Sequence, residues 1–231
     1  MRNLLLSMLL ITGHISVSAQ NQNSYQIKGK IDGLTEGAKV YLIRGFKRID
    51  SATVTKGHFF LEGTLAEPTF LTLYTGKGKE SKKLADILLD NRAVRVTGTQ
   101  AEYEHIQVSG SAIDQQWKEW LKKDTRLGYQ RYRLDQIYKS LIGKGDKASA
   151  DSLKMLLEEM QVDRITLLKD YVKQYHSSAV GAVLPTLCTL QDKLSQADFM
   201  DMYNVLSPAM KTTALAQETL QLAKKARPAA K

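Results

Sequence analysis

The chain has 231 residues and a formal net charge of +9, is 43% hydrophobic and 25% charged, and contains a single cysteine. These proportions are ordinary for a soluble globular protein, and the length allows one large or two small domains. The positive charge is spread along the chain rather than gathered into a stripe, which argues against a nucleic-acid-binding protein.

Residues 1–19 have the pattern of an export leader. Arg2 supplies a positive start, residues 4–11 are apolar except for one serine, and small residues precede Gln20. The apolar run is far shorter than the roughly 20 residues needed to cross a bilayer, so removal is favoured over anchoring. We therefore predict a signal peptide cut between Ala19 and Gln20, and a periplasmic or otherwise exported mature chain without a transmembrane span. No cysteine lies near the cut, which argues against lipid attachment there.

Residues 25–111 carry the pattern of a β domain. Apolar and polar residues alternate at its start with the period of a half-buried strand. Lys56-Gly57 separates two extended runs and predicts a tight hairpin, because glycine tolerates positive φ. Eight short strands are predicted, at residues 25–31, 39–43, 49–55, 58–61, 69–75, 84–89, 93–97 and 106–109. Their spacing favours a β-sandwich of antiparallel sheets over alternating β and α units.

The hydrophobic period changes to that of helices at Ser111, and residues 112–226 are predicted to form a helical segment. Ser111 and Asp114 have the form of a capping box ahead of a first long helix, which Gly143 and Gly145 stop. The clearest apolar stripe predicts a second helix over about residues 150–175.

Three further helices are predicted. One covers about residues 179–190 and contains Pro185, which should kink it or mark its start. Ser195 and Asp198 repeat the capping-box form before another helix. Ser207-Pro208 places a cap and a first-turn proline before the last helix, at about residues 209–226, and residues 227–231 are predicted to be a disordered tail. The predicted fold class is therefore α+β, an N-terminal antiparallel β-sandwich followed by an all-helical C-terminal segment.

Several stretches resemble a known bacterial domain. Residues 50–63 are similar to its "D-S-x-x-V-x-x-G-x-F-x-F-x-G" hairpin, and residues 171–178 are similar to its "F-I-x-x-N-P-x-S" segment, with His176 and Ser177 departing from that pattern. Its other landmarks resemble residues 88–91, 94–97, 108–111, 203–206 and 209–211. The family is an uncharacterised domain of unknown function that often forms the N-terminus of exported thiol:disulfide oxidoreductases of the thioredoxin/peroxiredoxin-like class.

The resemblance implies an envelope location and an association with redox chemistry. In the full-length relatives a thioredoxin-like domain with Cys-x-x-Cys would begin about where this sequence ends, and the motif is absent from the 231 residues. No catalytic residue can therefore be carried over from the family.

Cys188 lies among apolar neighbours on a predicted helix and has two interpretations. A free cysteine in such a setting is usually a small buried hydrophobe, and this interpretation is favoured. The alternative is a free thiol that forms a mixed disulfide with a redox partner, which requires exposure and a lowered pKa.

Other catalytic or cofactor chemistry finds little support in the sequence. The mature histidines, His58, His105 and His176, have no recognised metal-ligand spacing, so no metal or other cofactor is expected. Asp50-Ser51 lacks a nearby histidine base, Glu158-Glu159 diverge on a helix, and the glycines of residues 76–79 lack the context of a phosphate loop. The chain is therefore expected not to be an enzyme.

A basic and aromatic patch on the first long helix is the best candidate for a partner surface. It consists of Arg126, Tyr129, Arg131, Tyr132 and Arg133, and tyrosine and arginine are enriched at binding hot spots. The favoured alternative has the tyrosines packing under the sandwich while the arginines face water.

Three functional hypotheses follow from the sequence. The first is an exported, non-catalytic module that binds a partner protein or ligand in the cell envelope. The second is an accessory component of periplasmic thiol–disulfide exchange, acting through Cys188 or with a separate thioredoxin-like protein. The third and weakest is a hydrolase with an unfamiliar site.

Overall fold

The computed structural model describes residues 24–76 and 80–227. The predicted signal peptide, most of the glycine cluster at 76–79 and nearly all of the predicted tail lie outside these described residues. Within the described part, no helix combines the length and apolar character that a membrane crossing requires.

Eight strands form two four-stranded sheets, which pack into a sandwich-like body. The side chains between the sheets form one hydrophobic core, in which Ile27, Leu42 and Leu71 are fully buried. The strands are β1 (Tyr25–Ile31), β2 (Lys39–Arg44), β3 (Lys47–Thr53), β4 (His58–Gly63), β5 (Thr69–Thr75), β6 (Lys82–Leu89), β7 (Ala93–Gly98) and β8 (Ile106–Ser109).

The first sheet has the strand order β4-β1-β7-β8 and the second β3-β2-β5-β6. Neighbouring strands pair antiparallel except for β1 and β7, which are parallel. The expectation of purely antiparallel sheets is wrong at this one pair. Its cause is topological. Between β1 and β7 the chain adds β4 to one edge of β1 and forms all four strands of the second sheet, and β7 then runs along the other edge of β1 in the same direction as β1. The predicted α+β class with an N-terminal sandwich is confirmed.

The tight turn at Lys56-Gly57 forms as the sequence indicates. Thr55 and His58 exchange both backbone hydrogen bonds at 2.9 Å, and Lys56 and Gly57 have φ values of 52° and 74°. Two consecutive positive φ values define the turn type that suits a two-residue connection. The flanking strands then separate, because β3 belongs to one sheet and β4 to the other. The turn therefore carries the chain between sheets rather than closing an extended hairpin.

Six helices follow the sandwich. The first is capped by Ser111, whose side chain accepts a hydrogen bond from the Asp114 N–H. The reciprocal half of the predicted capping box is missing, because the Asp114 carboxylate accepts instead from the Leu88 N–H of β6 at 3.0 Å. The box at Ser195 and Asp198 is complete. The helices are α1 (Ala112–Lys144), α2 (Lys147–Gln174), α3 (Ala179–Leu187), α4 (Gln196–Val205), α5 (Pro208–Lys211) and α6 (Ala214–Lys225).

Two helical predictions are wrong in detail. Pro185 lies in the last turn of α3 and therefore does not start the helix, and Cys188 is the C-cap residue rather than a helical one. The last predicted helix is two helices, because the Thr213 hydroxyl accepts from the Ala216 N–H and starts α6 after the single turn of α5. Side-chain capping by threonine competes with helix continuation, which explains the break.

The helices enclose a second hydrophobic core that meets the sandwich along β6. Trp120, Phe199 and Val180 are buried at its centre. Leu88 of β6 belongs to this helical core, while its neighbours Ile87 and Leu89 belong to the core between the sheets. Since successive side chains of a strand point to opposite faces, β6 contributes to both cores.

The long helices α1 and α2 extend beyond both cores. At about 1.5 Å per residue, they are about 50 Å and 42 Å long. None of the residues from Lys122 to Arg164 belongs to either hydrophobic core. We call this stretch, residues 122–164, the helical arm.

Candidate binding surface

A buried ion pair fixes the base of the helical arm. The Nε and Nη2 atoms of Arg164 each donate to one carboxylate oxygen of Asp124 at 2.8 Å. Nη2 also donates to the Thr189 hydroxyl at 2.9 Å. Asp124 is 2% exposed and Arg164 is 8% exposed. The paired geometry of a guanidinium and a carboxylate is specific in direction, so it sets how α1 and α2 lie against each other.

Gly128 makes room for this pair. A Cβ atom placed on Gly128 would lie 3.3 Å from the guanidinium carbon of Arg164, closer than ordinary van der Waals contact. Glycine in a helix interior costs about 1 kcal/mol relative to alanine. The close approach of the guanidinium is therefore the physical reason for a glycine within α1.

Sequence reasoning missed Asp124 and Arg164, although a signal was present. Asp124 follows Trp117 and Trp120 at the spacing of the buried stripe of α1, and Arg164 lies between Leu157 and Leu168 on the buried stripe of α2. Opposite charges at core positions of two neighbouring helices indicate a buried pair, because an unpaired buried charge is too costly.

Cys188 lies next to this ion pair and is not available as a surface thiol. Its side chain is 5% exposed, and its Sγ donates to the Pro185 carbonyl oxygen at 3.4 Å. Burial raises the pKa of the Cys188 thiol to about 11, and the charge of Asp124 acts in the same direction. The thiol is therefore protonated at neutral pH and has the character of a small buried hydrophobe.

Beyond the ion pair, the helical arm presents large apolar side chains to solvent. Met155 is 72% exposed, and Tyr129, Tyr132, Ile137 and Val162 are each at least half exposed. A helix that packs only against one neighbour normally turns polar residues outward. Contiguous exposed apolar residues on a protruding element are typical of an interaction surface.

The structure separates the residues of the predicted basic and aromatic patch. Arg126, Tyr129, Tyr132 and Arg133 are exposed, so the expectation that the tyrosines pack under the sandwich is wrong. Arg131 lies on the other side of α1, is half-buried, and donates from Nε to the Leu157 carbonyl oxygen of α2 at 3.3 Å. It holds the two helices together and does not contribute to the exposed surface.

A groove runs along one side of the helical arm, between α1 and α2. Two cavities of about 470 Å³ and 330 Å³ lie in it. Their apolar floor is formed by Leu127 and Leu167 near the base and by Leu134, Ile137 and Met160 towards the tip. These positions are seven and three residues apart on α1 and seven apart on α2, so on each helix they lie on one face.

The two sides of the groove carry opposite charges. On α1 the groove is flanked by Lys122, Arg126 and Arg133, and within residues 24–76 and 80–227 no carboxylate oxygen lies within 4 Å of their charged nitrogens. On α2, Asp163 and Asp170 are exposed at the same helical spacing as the floor residues. The groove therefore combines an apolar floor with one basic and one acidic side.

The base of the groove also contains one neutralised cation. Lys123 pairs with Glu119 at 3.3 Å and lies over the Tyr171 ring, 5.1 Å from its centroid. These contacts, first the hydrogen bond to Tyr171 and then that to Glu119, raise the pKa of Lys123. Lys123 is thus already paired, whereas the charged nitrogens of Lys122, Arg126 and Arg133 have no carboxylate within 4 Å in the described residues.

A second polar cluster lies where the sandwich meets α1. The Asp86 carboxylate accepts from the Thr72 hydroxyl at 2.8 Å and from the Tyr103 hydroxyl at 3.1 Å, and it also pairs with Lys83. Burial, followed by the charge of Asp86, raises the pKa of Tyr103 to about 12. A cavity of about 340 Å³ adjoins this cluster, but the polar groups satisfy one another, so the arrangement serves to join the sandwich to α1.

The structure does not bring the candidate metal ligands together. His58, His105 and His176 are all exposed and lie on different elements. In the described part of the chain, no three histidine, cysteine, aspartate or glutamate side chains are grouped as a metal ion would need. Glu158 and Glu159 are both exposed, and Asp50 accepts from the Tyr25 hydroxyl at 3.3 Å.

Comparison with known families agrees with the sandwich. Residues 25–117 match the family model described as "Domain of unknown function (DUF4369)". The match covers all eight strands and the beginning of α1, so this part of the chain is a domain of unknown function with a sandwich-like fold. The helical arm lies outside the matched residues. No curated protein matches the chain.

Proposed function

We propose that the mature chain is an exported, non-catalytic module that binds a protein partner in the cell envelope through the helical arm. The observation that carries this proposal is the groove along the helical arm. Most of its apolar floor, Leu127, Leu134, Ile137 and Met160, belongs to neither core, and its α1 side has unneutralised cations. Export is supported by the leader pattern of residues 1–19.

A protein partner is favoured over a small molecule by the shape of the surface. Ligand pockets enclose most of a small molecule, whereas this groove is open and extends along two helices. Helix-in-groove recognition uses an apolar stripe with charged flanks, which is the composition found here. Thiol–disulfide exchange through Cys188 is disfavoured, since this single cysteine is buried and its pKa is raised. An accessory role beside a separate thioredoxin-like protein does not need this thiol and stays the alternative.

Two measurements test the proposal. Fractionation and N-terminal sequencing should locate the chain outside the cytoplasm, beginning at Gln20. A photo-crosslinking residue placed at Ile137 in the living cell should give a crosslinked protein that the change Arg126→Glu removes. The matched control is the same crosslinker at Phe46, which is fully exposed on the β2–β3 turn of the sandwich. Equal crosslinking from both positions, or none from Ile137, would refute binding through the arm.

A further inference from the structure

We infer that the occupant of the groove is a second copy of this chain, and that two helical arms pack groove to groove as a four-helix bundle. This inference rests on the proposed function, because it names the partner of the same surface. It depends on three features of the arm: the order of its charges, the area of the side that bears the groove, and the packing of the sandwich and α4 away from the groove.

The charges on the two sides of the groove are self-complementary. Gly128 stands beside Arg164, and the helices are antiparallel, so residues further along α1 stand beside residues further back along α2. Lys122 is therefore level with Asp170, and Arg133 is level with Glu159. Two of the three basic residues of the α1 side thus have an acidic residue at their own height on α2, and Arg126 has Asp163 within one turn.

Symmetry turns this matching into contacts between copies. A two-fold axis parallel to the arms leaves every residue at its own height and places α1 of one copy over α2 of the other. Arg133 would then face Glu159 of the second copy, and Arg126 would lie within one turn of the second copy's Asp163. If the two arms were antiparallel instead, α1 of one copy would lie over α1 of the other. Cations would then face cations, which charge repulsion disfavours.

The side of the arm that bears the groove, with its apolar floor and charged flanks, is large enough for a stable pair. From Glu119 to Leu141 it is about 33 Å long at 1.5 Å per residue, and two adjacent helices are about 20 Å wide. The resulting face of roughly 650 Å² per copy is close to the ~800 Å² per partner of a standard protein–protein interface.

Within residues 24–76 and 80–227, the sandwich and α4 contact the helices of the arm away from the groove. The sandwich packs on another side of α1, where Lys118, Leu121, Lys122 and Thr125 line the cavity at the joint, and Lys122 borders both this cavity and the groove. Helix α4 packs on the opposite side of α2, where Lys169 pairs with Asp198 and Asp201 at 2.7 and 2.9 Å. A second arm can therefore approach the groove without displacing either.

Sedimentation equilibrium of the full mature chain, over micromolar concentrations, tests the inference. The wild-type chain should be dimeric, and Arg126→Glu with Arg133→Glu should raise the dissociation constant at least tenfold, because it places like charges across the interface. Adding Glu159→Lys and Asp163→Lys should restore the wild-type constant within about threefold. The matched control, Lys28→Glu with Arg95→Glu, makes the same change in net charge on the outer face of the sandwich and should leave the constant unchanged.

Each other outcome overturns the inference. A monomer at all concentrations excludes the second copy, and so does a dimer that is indifferent to the reversal or that the reciprocal changes fail to restore. A monomeric chain whose Ile137 crosslinker still captures a different envelope protein would retain the proposed function and reject only the identity of the partner. A monomer without such a crosslinked protein would reject both.

Discussion

Removing the charge of Asp124 isolates a buried guanidinium. Arg164 would keep its hydrogen bond to Thr189 but would lose the carboxylate that compensates its charge. Breaking a buried pair in this way costs about 3–5 kcal/mol, so Asp124→Asn should lower the free energy of unfolding by that amount. Urea denaturation at neutral pH measures it.

The control is the same chemical change in an exposed pair. Asp201 pairs with Lys169 at 2.9 Å, but its side chain is 65% exposed, so Asp201→Asn should cost less than about 1 kcal/mol. Replacing both buried partners, with Asp124→Leu and Arg164→Met, should recover most of the loss because no charge then stays buried. Equal losses for Asp124→Asn and Asp201→Asn would contradict the burial argument.

The Cys188 thiol should react slowly in the folded chain. Burial raises its pKa from 9.0 to about 11. Each unit lowers the thiolate fraction about tenfold, so a thiol probe at pH 8 should react about a hundredfold more slowly than with the unfolded chain. Rapid labelling without denaturant would contradict the predicted slow reaction. It would favour Cys188 as a thiol that takes part in disulfide exchange.

The same shift predicts a direction for stability. The pKa of the thiol is higher in the folded state than in the unfolded state. Its contribution to the free energy of unfolding is therefore present below pH 9 and is lost as the pH rises towards 11. The free energy of unfolding of a Cys188→Ala variant should therefore fall less steeply than that of the wild type between these values.

At the scale of elements, Asp114 joins α1 to the sandwich. One carboxylate oxygen accepts from the Leu88 N–H of β6 at 3.0 Å, and the other accepts from Lys118 at 2.6 Å. Burial raises the pKa of Asp114 and outweighs the lowering by Lys118, so any stability from this shift is present at low pH and lost as the pH rises. At neutral pH its hydrogen bond to the strand is therefore the main contribution.

Two substitutions separate the hydrogen bond from the charge. Asp114→Asn keeps an oxygen for the Leu88 N–H and should cost less than about 1 kcal/mol, whereas Asp114→Ala leaves that buried donor unsatisfied and should cost about 1–3 kcal/mol. The free energies of unfolding at pH 7 decide between them. Equal losses for Asn and Ala would show that the ion pair with Lys118, which both substitutions remove, is the stabilising contact.

The elements that the sequence predicts correctly depend on local chemistry. The turn at Lys56-Gly57 requires positive φ at adjacent positions, and the capping box at Ser195 and Asp198 closes within one helical turn. In both cases the interacting residues lie within four positions of each other in the chain. A short stretch of sequence therefore includes every residue that the interaction needs. All eight predicted strands are present, and their ends lie within two residues of the predicted ones.

The features that sequence reasoning missed depend on distant partners. The incomplete box at Ser111 follows from a contact between Asp114 and Leu88, 26 positions apart, and the pair of Asp124 and Arg164 spans 40 positions. The parallel pairing of β1 with β7 likewise depends on the path of the intervening strands. The groove could not be predicted because it requires knowing how far α1 and α2 extend beyond the cores.

At the scale of the whole molecule, two hydrophobic cores meet along a narrow seam. Leu88 of β6 lies in the helical core, and the Phe70 ring of β5 contacts the Trp117 ring edge-on, with centroids 5.2 Å apart. Because Trp117 and Trp120 both lie on the helical side of this seam, tryptophan fluorescence reports the helical core. Amide exchange of β1 and β4 reports the sandwich.

Leu88→Ala should therefore destabilise the two halves unequally. Removing a fully buried leucine costs about 2–5 kcal/mol, and the cavity would open within the helical core. The fluorescence transition in urea should move to lower concentration, while amide protection of β1 and β4 changes less. Leu42→Ala, in the core between the sheets, should have the converse effect. If each substitution shifted both probes equally, the two cores would unfold as a single cooperative unit, and the seam would transmit the full loss of stability between them.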